Sequence, residues 1–315
     1  MGTTRRLWAI TVLGSVLVGC GGAGTQPQAS PPGRGSAMPD PAAESRVDQV
    51  LVPALAGQEP RAAPDPQRLA RQISVSVGAV RDPASTPEQV RAAGWTAQIA
   101  YRALEQRPEW DATVLAGVPA PLHDAVVRNT TARRELGAMS DELGDTLPPW
   151  RIVEPPPAGE LRAIYGEAQR RFGVPWEVLA AVNLVETGTG RIVGLSVAGA
   201  QGPMQFMPAT WARYGMAGDV WNTHDAIMGA ANYLAANGAA RGDLDNALYR
   251  YNNDPRYVRA VRHYAEVMRV DERAFLGYHA WPVYFRTRAG DILLPVGYES
   301  PRRIPVQEWL AGRPR

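Results

Sequence analysis

The sequence has little of three things on which many functional sites depend: cysteine, histidine and an excess of one charge. Its 315 residues include one cysteine and four histidines, and the formal net charge at pH 7 is +2. A single cysteine allows no disulfide within the chain, so the fold must rest on core packing. No histidine has the spacing of a metal ligand set, and the charge gives no argument for a nucleic-acid partner. We therefore expect no metal, no cofactor and no nucleic acid.

The first twenty residues have the pattern of an export signal. Two arginines precede an apolar stretch at residues 7–18, which is short for a membrane-spanning helix. The stretch ends in Leu17-Val18-Gly19-Cys20, which resembles the lipobox of bacterial lipoproteins, where the cysteine is lipidated. We predict a signal peptide over residues 1–19 and a lipid on Cys20 that anchors the protein to a membrane of the cell envelope. The alternative is an ordinary secretory signal in which the cysteine is incidental.

Composition divides the rest of the chain. Residues 20–65 are rich in Gly, Pro and Ala and predict a flexible tether. An apolar segment at residues 50–55 interrupts the tether and is either a docking segment or part of the linker. Helical spacing then predicts a helical N-terminal region over residues 66–150, with Thr86 and Pro87 at a helix start. We can assign no chemistry to this region.

The helical pattern is stronger beyond the prolines near residue 150. It predicts a domain over residues 151–272, whose main helices are 159–172, 176–186, 224–237, 245–251 and 255–270. Two apolar segments on either side of residues 288–291 then predict a β-hairpin or an extended tail within residues 273–315. The predicted fold class is therefore mainly α, with a short β element near the C-terminus.

One glutamate stands out in this pattern. Glu186 ends the apolar helix 176–186 and shares its apolar stripe with Leu179 and Val182. No lysine or arginine lies three or four residues away on that helix, and burial raises the pKa of an unpaired carboxyl group. A glutamate kept protonated near neutral pH can act as the general acid of glycoside cleavage. The alternative is a helix-terminal glutamate that turns to solvent.

Three motifs in order carry a family resemblance. They are Glu186-Thr187-Gly188-Thr189-Gly190, then Gly199-Ala200-Gln201-Gly202-Pro203-Met204-Gln205-Phe206-Met207-Pro208, then Ala247-Leu248-Tyr249-Arg250-Tyr251-Asn252-Asn253. Over about residues 155–270 the chain resembles the lysozyme-like lytic transglycosylases of bacterial cell walls, which have an SLT-type domain. Two departures from that family pattern are Thr187, where serine is usual, and Asn253-Asp254, where many relatives have alanine-glycine.

The resemblance implies a lysozyme-like helical domain that cleaves the MurNAc–GlcNAc bond of peptidoglycan. Glu186 would be the sole catalytic carboxylate and would close a 1,6-anhydro ring without water. The implied substrate-binding residues are Thr187, Gln201, Met204, Gln205, Tyr251 and Asn252. Met204 is equally consistent with a place in the core. The implied partner is the peptidoglycan glycan strand, bound by a monomer that faces the cell wall.

Two other functions remain open at this point. A muramidase would hydrolyse the same bond with water, which a second carboxylate near the bond would favour. A scaffold would bind glycan without cleaving it, although Glu186, Gln205 and Tyr251 argue against that. A solute-binding lipoprotein with two α/β lobes is disfavoured, because strands and helices do not alternate along the sequence.

Overall fold

The computed structural model describes residues 49–139 and 143–312. These residues form a mainly α-helical fold, which confirms the predicted class. The helices, in chain order, are α1 (residues 49–55), α2 (Pro66–Arg81), α3 (Pro87–Glu105), α4 (Asp111–Gly117), α5 (His123–Gly137), α6 (Ala158–Phe172), α7 (Trp176–Thr187), α8 (Pro208–Tyr214), α9 (Thr223–Ala236), α10 (Leu244–Tyr251), α11 (Pro255–Val270), α12 (Ala274–His279) and α13 (Val306–Ala311).

Helix boundaries follow capping residues that the sequence displays. Helix α3 begins with a capping box, in which the Thr86 hydroxyl accepts from the backbone of Gln89 and the Gln89 side chain accepts from the backbone of Thr86. Helix α6 ends at Gly173, whose φ of 71° is a left-handed conformation that suits glycine. These boundaries, and that of α11, agree with the predicted ones to within one or two residues.

Short antiparallel ladders tie distant parts of the chain together. Strand β1 (Thr146–Leu147) pairs with β6 (Ile304–Pro305), and β2 (Arg151–Ile152) pairs with β3 (Ile192–Val193). The predicted C-terminal hairpin is present as β4 (Val283–Thr287) and β5 (Gly290–Leu294). Val283 faces Leu294 and Thr287 faces Gly290, so Arg288 and Ala289 form the turn.

The main hydrophobic core joins the N-terminal helices to the segment that carries the family motifs. Leu69 and Tyr101 belong to the same buried cluster as Leu179 and Tyr257. Helix α5 packs on α11, and α11 packs on α7. The boundary predicted near residue 150 therefore separates two lengths of sequence that share one core.

Residues 49–65, the described part of the predicted tether, are not the flexible chain that the composition predicts. Residues 49–55 are helical, and Leu51 is 1% exposed in a small cluster with Val80 and Ala93. Glu59 accepts a hydrogen bond from Tyr284 Oη at 2.8 Å. The apolar segment at residues 50–55 thus docks on α2 and α3. Among the described helices, none is long and apolar enough to cross a bilayer.

Candidate active site

Helix α7 carries Glu186 into the interior. Every side chain from Val178 to Val185 is buried, because α6, α9 and α11 pack around this helix. Glu186 follows in the last turn and is only 6% exposed. Gly188, with a φ of 61°, ends the helix, and its N–H donates to the carbonyl of Leu184 at 3.0 Å. An apolar helix stopped by glycine therefore delivers a carboxyl group into the core.

The surroundings of Glu186 favour its neutral form. Tyr257, on α11, donates a hydrogen bond from Oη to Glu186 Oε1 at 2.7 Å. Within residues 49–139 and 143–312, no cationic side chain forms a salt bridge with Glu186. Burial raises the pKa of Glu186 to about 8, and the Tyr257 hydrogen bond lowers it by less. The direction of this shift agrees with the one expected from the apolar stripe, and a pKa of about 8 favours the protonated form of Glu186 at neutral pH.

Tyr257 was missed by the sequence analysis. It is 1% exposed and lies on the apolar face of α11, where nothing in the sequence separates it from an ordinary core residue. Its ring lies parallel to that of Tyr251, with an interplanar angle of 5° and 6.4 Å between centroids. Tyr251 in turn donates from Oη to the carbonyl of Met204 at 2.6 Å. Two stacked tyrosines therefore connect Glu186 to the glycine loop, residues 199–208.

The glycine loop is held close to its neighbours by backbone contacts. A Cβ on Gly202 would lie 1.9 Å from the carbonyl oxygen of Val220, so only glycine fits there. Gln205 has a positive φ of 49° and donates from its side-chain amide to the carbonyl of Gly202 at 3.0 Å. Gln201 and Phe206 exchange backbone hydrogen bonds of 2.9 and 2.8 Å across the loop.

The structure gives two of the predicted binding residues a supporting position instead. Thr187 is fully buried, and its hydroxyl donates to the carbonyl of Pro203 at 2.6 Å and accepts from the N–H of Gly190 at 3.1 Å. That hydroxyl links α7 to the glycine loop and does not face solvent. Met204 is also fully buried and belongs to the main core, so the core alternative for its side chain is correct.

The other predicted binding residues lie around the same loop. Gln205 and Asn252 are buried at 8% and 5% exposure, whereas the side chains of Gln201 and Tyr251 are half-buried. The fold therefore brings the three sequence motifs to one place, where Tyr257 bonds to Glu186 and its ring lies parallel to that of Tyr251. Cys20, the predicted lipidation site, lies outside the described residues.

A cleft of about 680 Å³ opens beside the glycine loop. We call it the loop cleft; its walls include Arg151, Glu154, Gly190, Gly202, Pro203 and Trp221. Trp221 is 45% exposed and offers a flat apolar face of the kind on which sugars stack. Glu186 does not line this cleft, but its neighbour Thr187 bonds to Pro203, which does. Glu154 is the acidic residue of the cleft wall, and it pairs with Arg191 at 3.4 Å.

The described residues hold no cluster of side chains suited to a metal ion. His279 illustrates why: its Nε2 lies 2.9 Å from the carbonyl of Pro156, and burial lowers the pKa of its ring. His224 is exposed and lies beside Asp225 and Glu167, at 3.3 and 3.4 Å. The chemistry available at the site is therefore that of a buried acid, two tyrosines and backbone amides.

Comparison with known proteins gives one match. Residues 192–246 match the model of a family described as the transglycosylase SLT domain. The matched segment contains the glycine loop and begins six residues after Glu186, so both Glu186 and Tyr251 lie outside it. No curated protein and no solved structure matches the chain.

Proposed function

We propose, from the match of residues 192–246 to the transglycosylase SLT domain family, that the protein is a lytic transglycosylase with one catalytic carboxylate. It cleaves the MurNAc–GlcNAc bond of peptidoglycan and leaves a 1,6-anhydroMurNAc end. The observation that carries this proposal is the state of Glu186, a buried glutamate whose pKa is raised to about 8 beside a single hydrogen-bond donor.

In the first step Glu186 acts as a general acid. Its proton passes to the oxygen of the glycosidic bond, and the bond from that oxygen to C1 of MurNAc breaks. The N-acetyl oxygen of the same sugar attacks C1 and holds the positive charge, as in the substrate-assisted exceptions to the two-carboxylate rule. Glu186 is left ionised, and Tyr257 Oη, 2.7 Å away, stabilises the new charge.

In the second step Glu186 acts as a base. It takes the proton from the MurNAc 6-hydroxyl, whose oxygen attacks C1 and displaces the N-acetyl oxygen. The ring closes without water, and Glu186 regains the proton that it gave. One residue serves both steps because the first leaves it ionised beside the second proton. Its raised pKa supports this cycle, because it keeps the carboxyl group protonated until the bond breaks.

The loop cleft is the proposed seat of the glycan strand. Trp221 provides a stacking face, and Gln201 and Tyr251 have side chains near the glycine loop that are not fully buried. Gln205 holds the glycine loop through its bond to the carbonyl of Gly202, and the buried Asn252 ends α10 next to Tyr251. Thr187 and Met204 act as positioning residues, since Thr187 fixes Pro203 and the carbonyl of Met204 fixes Tyr251.

The mass of the soluble products distinguishes a lytic transglycosylase from a muramidase and from a glycan-binding scaffold. The purified protein is incubated with peptidoglycan, and the soluble products are weighed by mass spectrometry. Products lighter by one water than reducing-end muropeptides are expected. Reducing-end products would contradict the proposal and indicate a muramidase, for which Glu154 in the cleft wall is the second carboxylate to test. Binding without release would indicate a scaffold.

We also propose that Cys20 carries a lipid, on the strength of Leu17-Val18-Gly19-Cys20 alone. The anchor would hold the enzyme at a membrane of the cell envelope, within reach of the wall. Substitution Cys20→Ala should move the protein from the membrane fraction to the soluble fraction after cell breakage. A Cys20→Ala protein that still pellets with membranes would contradict the lipid anchor.

A further inference from the structure

Asn183 is the one polar side chain among residues 178–185 of α7, and the proposed mechanism does not use it. It is fully buried and lies about one turn before Glu186. An apolar side chain would fill this place in the core without the free-energy cost of burying an amide group, which only hydrogen bonds can offset. The contacts of this amide therefore show whether Asn183 does more than fill the core.

The amide group of Asn183 connects α6 to the glycine loop. Tyr165, on α6, donates from Oη to Asn183 Oδ1 at 2.7 Å. Asn183 Nδ2 donates to the carbonyl of Pro203 at 2.9 Å and to Thr187 Oγ1 at 3.3 Å. Because the fully buried Tyr165 hydroxyl needs an acceptor, it fixes which end of the amide faces the glycine loop. Asn183 therefore holds Pro203 with an amide whose orientation is set from the core.

Asn183, Thr187 and Pro203 form a closed network of hydrogen bonds. The carbonyl of Pro203 accepts from both side chains, at 2.9 Å from Asn183 Nδ2 and at 2.6 Å from Thr187 Oγ1. Thr187 Oγ1 also accepts from the N–H of Gly190, and the backbone carbonyl of Asn183 accepts from the N–H of Thr189 in the turn after α7. A buried polar network makes its members rigid when all of its donors are satisfied.

Two members of this network, Pro203 and Gly190, are also wall residues of the loop cleft. Asn183 precedes Glu186 by three positions and Thr187 follows it directly, so about one turn of α7 carries the acid and both side chains that hold the wall. Hydrogen bonds fix distance and direction, whereas apolar contacts have no preferred direction. The network therefore sets the position of the cleft wall relative to Glu186.

We propose that Asn183 is a positioning residue, which fixes the wall of the loop cleft on the turn that carries Glu186 and so aligns the glycosidic bond with the acid. Asn183 is fully buried and acts on the glycan only through Pro203. A misplacement of about 1 Å between substrate and catalytic group can lower the rate about 10²-fold. This inference rests on the proposed function for its substrate and adds to it the residue that aligns that substrate.

Removing the amide in two steps separates alignment from stability. Asn183→Leu leaves the Tyr165 hydroxyl buried without its acceptor and should lower the midpoint of urea unfolding. Adding Tyr165→Phe removes that hydroxyl, so the double variant should recover most of the lost stability, because apolar groups then replace both partners. Turnover should not recover with it: kcat for the release of soluble muropeptides should stay at least about tenfold below the wild-type value.

Ile164→Val is the matched control for a loss of stability alone. Ile164 is buried beside Tyr165 on α6 and takes no part in the network. The substitution removes one methylene group from the core, so it should lower the urea midpoint while kcat stays at the wild-type value. A double variant that regains wild-type kcat together with its stability would overturn the positioning role. So would a loss of kcat in Ile164→Val as large as that in Asn183→Leu.

Amide hydrogen exchange tests the network without turnover. The backbone amides of Gln201 and Phe206 are hydrogen-bonded to each other across the glycine loop. In the double variant they should exchange about tenfold faster than in the wild type, because the loop has lost its bond from Asn183. Ile164→Val should leave their exchange unchanged. Wild-type exchange rates in the double variant would overturn the inference.

These outcomes keep the two proposals apart. A wild-type protein that releases no muropeptides would contradict the transglycosylase proposal, and the exchange rates then judge Asn183 by themselves. If leucine does not fit the core, Asn183→Ala combined with Tyr165→Phe is measured in place of the double variant, since alanine also lacks the donors and adds no bulk. The same two results, wild-type kcat or wild-type exchange, would overturn the inference there.

Discussion

Two glutamates in this protein are buried to a similar degree but differ in the side chains that contact their carboxyl groups. Glu186 is 6% exposed and Glu105 is 7% exposed. Glu186 meets one tyrosine hydroxyl and apolar side chains, whereas Glu105 lies between Arg133 and Arg286 at 2.9 Å from each. The first suits a proton donor, and the second belongs to a buried network of ion pairs. Burial alone therefore does not decide the charge of a carboxyl group; the presence of a cation within hydrogen-bond distance does.

The two sites also differ in how the chain assembles them. The apolar stripe that ends in Glu186 lies on one helix, so it is visible in the sequence, although α6, α9 and α11 complete the burial. The partners of Glu105 come from positions 28 and 181 residues further along the chain, on α5 and on the C-terminal hairpin. A local acid can be recognised from helical spacing, but an ion-paired one needs the tertiary fold.

Among the substitutions that test the two glutamates, the largest expected effect is on turnover. Glu186→Gln removes the carboxyl group that gives and takes the proton in the proposed mechanism and keeps the shape of the side chain. The release of soluble muropeptides should fall by about 10²–10⁴-fold, the usual contribution of general acid–base catalysis. The control is Glu177→Gln, in the first turn of the same helix, which should retain activity. Near-normal turnover in Glu186→Gln would remove Glu186 from the mechanism.

The next effect is on stability, at the other glutamate. Arg133→Met takes one cation from Glu105 and leaves a buried carboxylate with less compensation. The free energy of unfolding in urea should fall by about 3 kcal/mol, as is typical when one partner of a buried pair is removed. Arg128→Met, which breaks an exposed pair with Asp124, should cost less than about 1 kcal/mol. Similar losses in the two variants would contradict the contrast drawn here.

A smaller effect is expected on the pH dependence of the free energy of unfolding, through Glu186. The pKa of Glu186 is about 8 in the folded protein against an ordinary value of 4.5, so between these values the unfolded chain ionises Glu186 and the folded chain does not. Its contribution to stability is complete below pH 4.5 and is lost as the pH rises to 8, by at most about 1.4 kcal/mol per unit. The stability gained in Glu186→Gln should therefore be larger at pH 8 than at pH 4.5. Equal differences would mean that Glu186 titrates normally.

The smallest effect expected concerns the single polar contact of Glu186. Its hydrogen bond from Tyr257 lowers the pKa of Glu186, so Tyr257→Phe should raise that pKa. Activity that requires the protonated acid falls above pH 8 in the wild type, and this limb should move to higher pH in Tyr257→Phe. The measurement is a pH profile of kcat/KM, with Tyr249→Phe as an exposed control. A limb that moves to lower pH would contradict the assigned role.

Particular residues show how far the sequence could lead. Gly188 and the stripe of Leu179 and Val182 indicated a buried acid at the end of α7 but left open a glutamate that turns to solvent. The position of the Thr187 hydroxyl could not be predicted, because the sequence looks the same whether that hydroxyl meets a sugar or the carbonyl of Pro203. The pairings of β1 with β6 and of β2 with β3 involve two residues per strand, too few to show a period.

The docking of the N-terminal segment was also hard to predict, because the composition of a segment does not show which single residue is buried. Leu51 lies in a Pro- and Ala-rich stretch whose composition is that of a linker, yet it is buried against Val80. Composition reports the average tendency of a segment, whereas one well-placed leucine can dock it.

The hydrogen bond between Glu186 and Tyr257 spans 71 residues of chain, and this has a consequence for synthesis. A chain grows from its N-terminus, so Glu186 leaves the ribosome well before the helix that covers it. Until that helix is added and packed, water surrounds the glutamate, which then ionises at neutral pH as any exposed carboxyl group does. The raised pKa of Glu186 thus arises only after α11 has been added and packed, so a chain that stops before residue 255 lacks the buried, protonated acid.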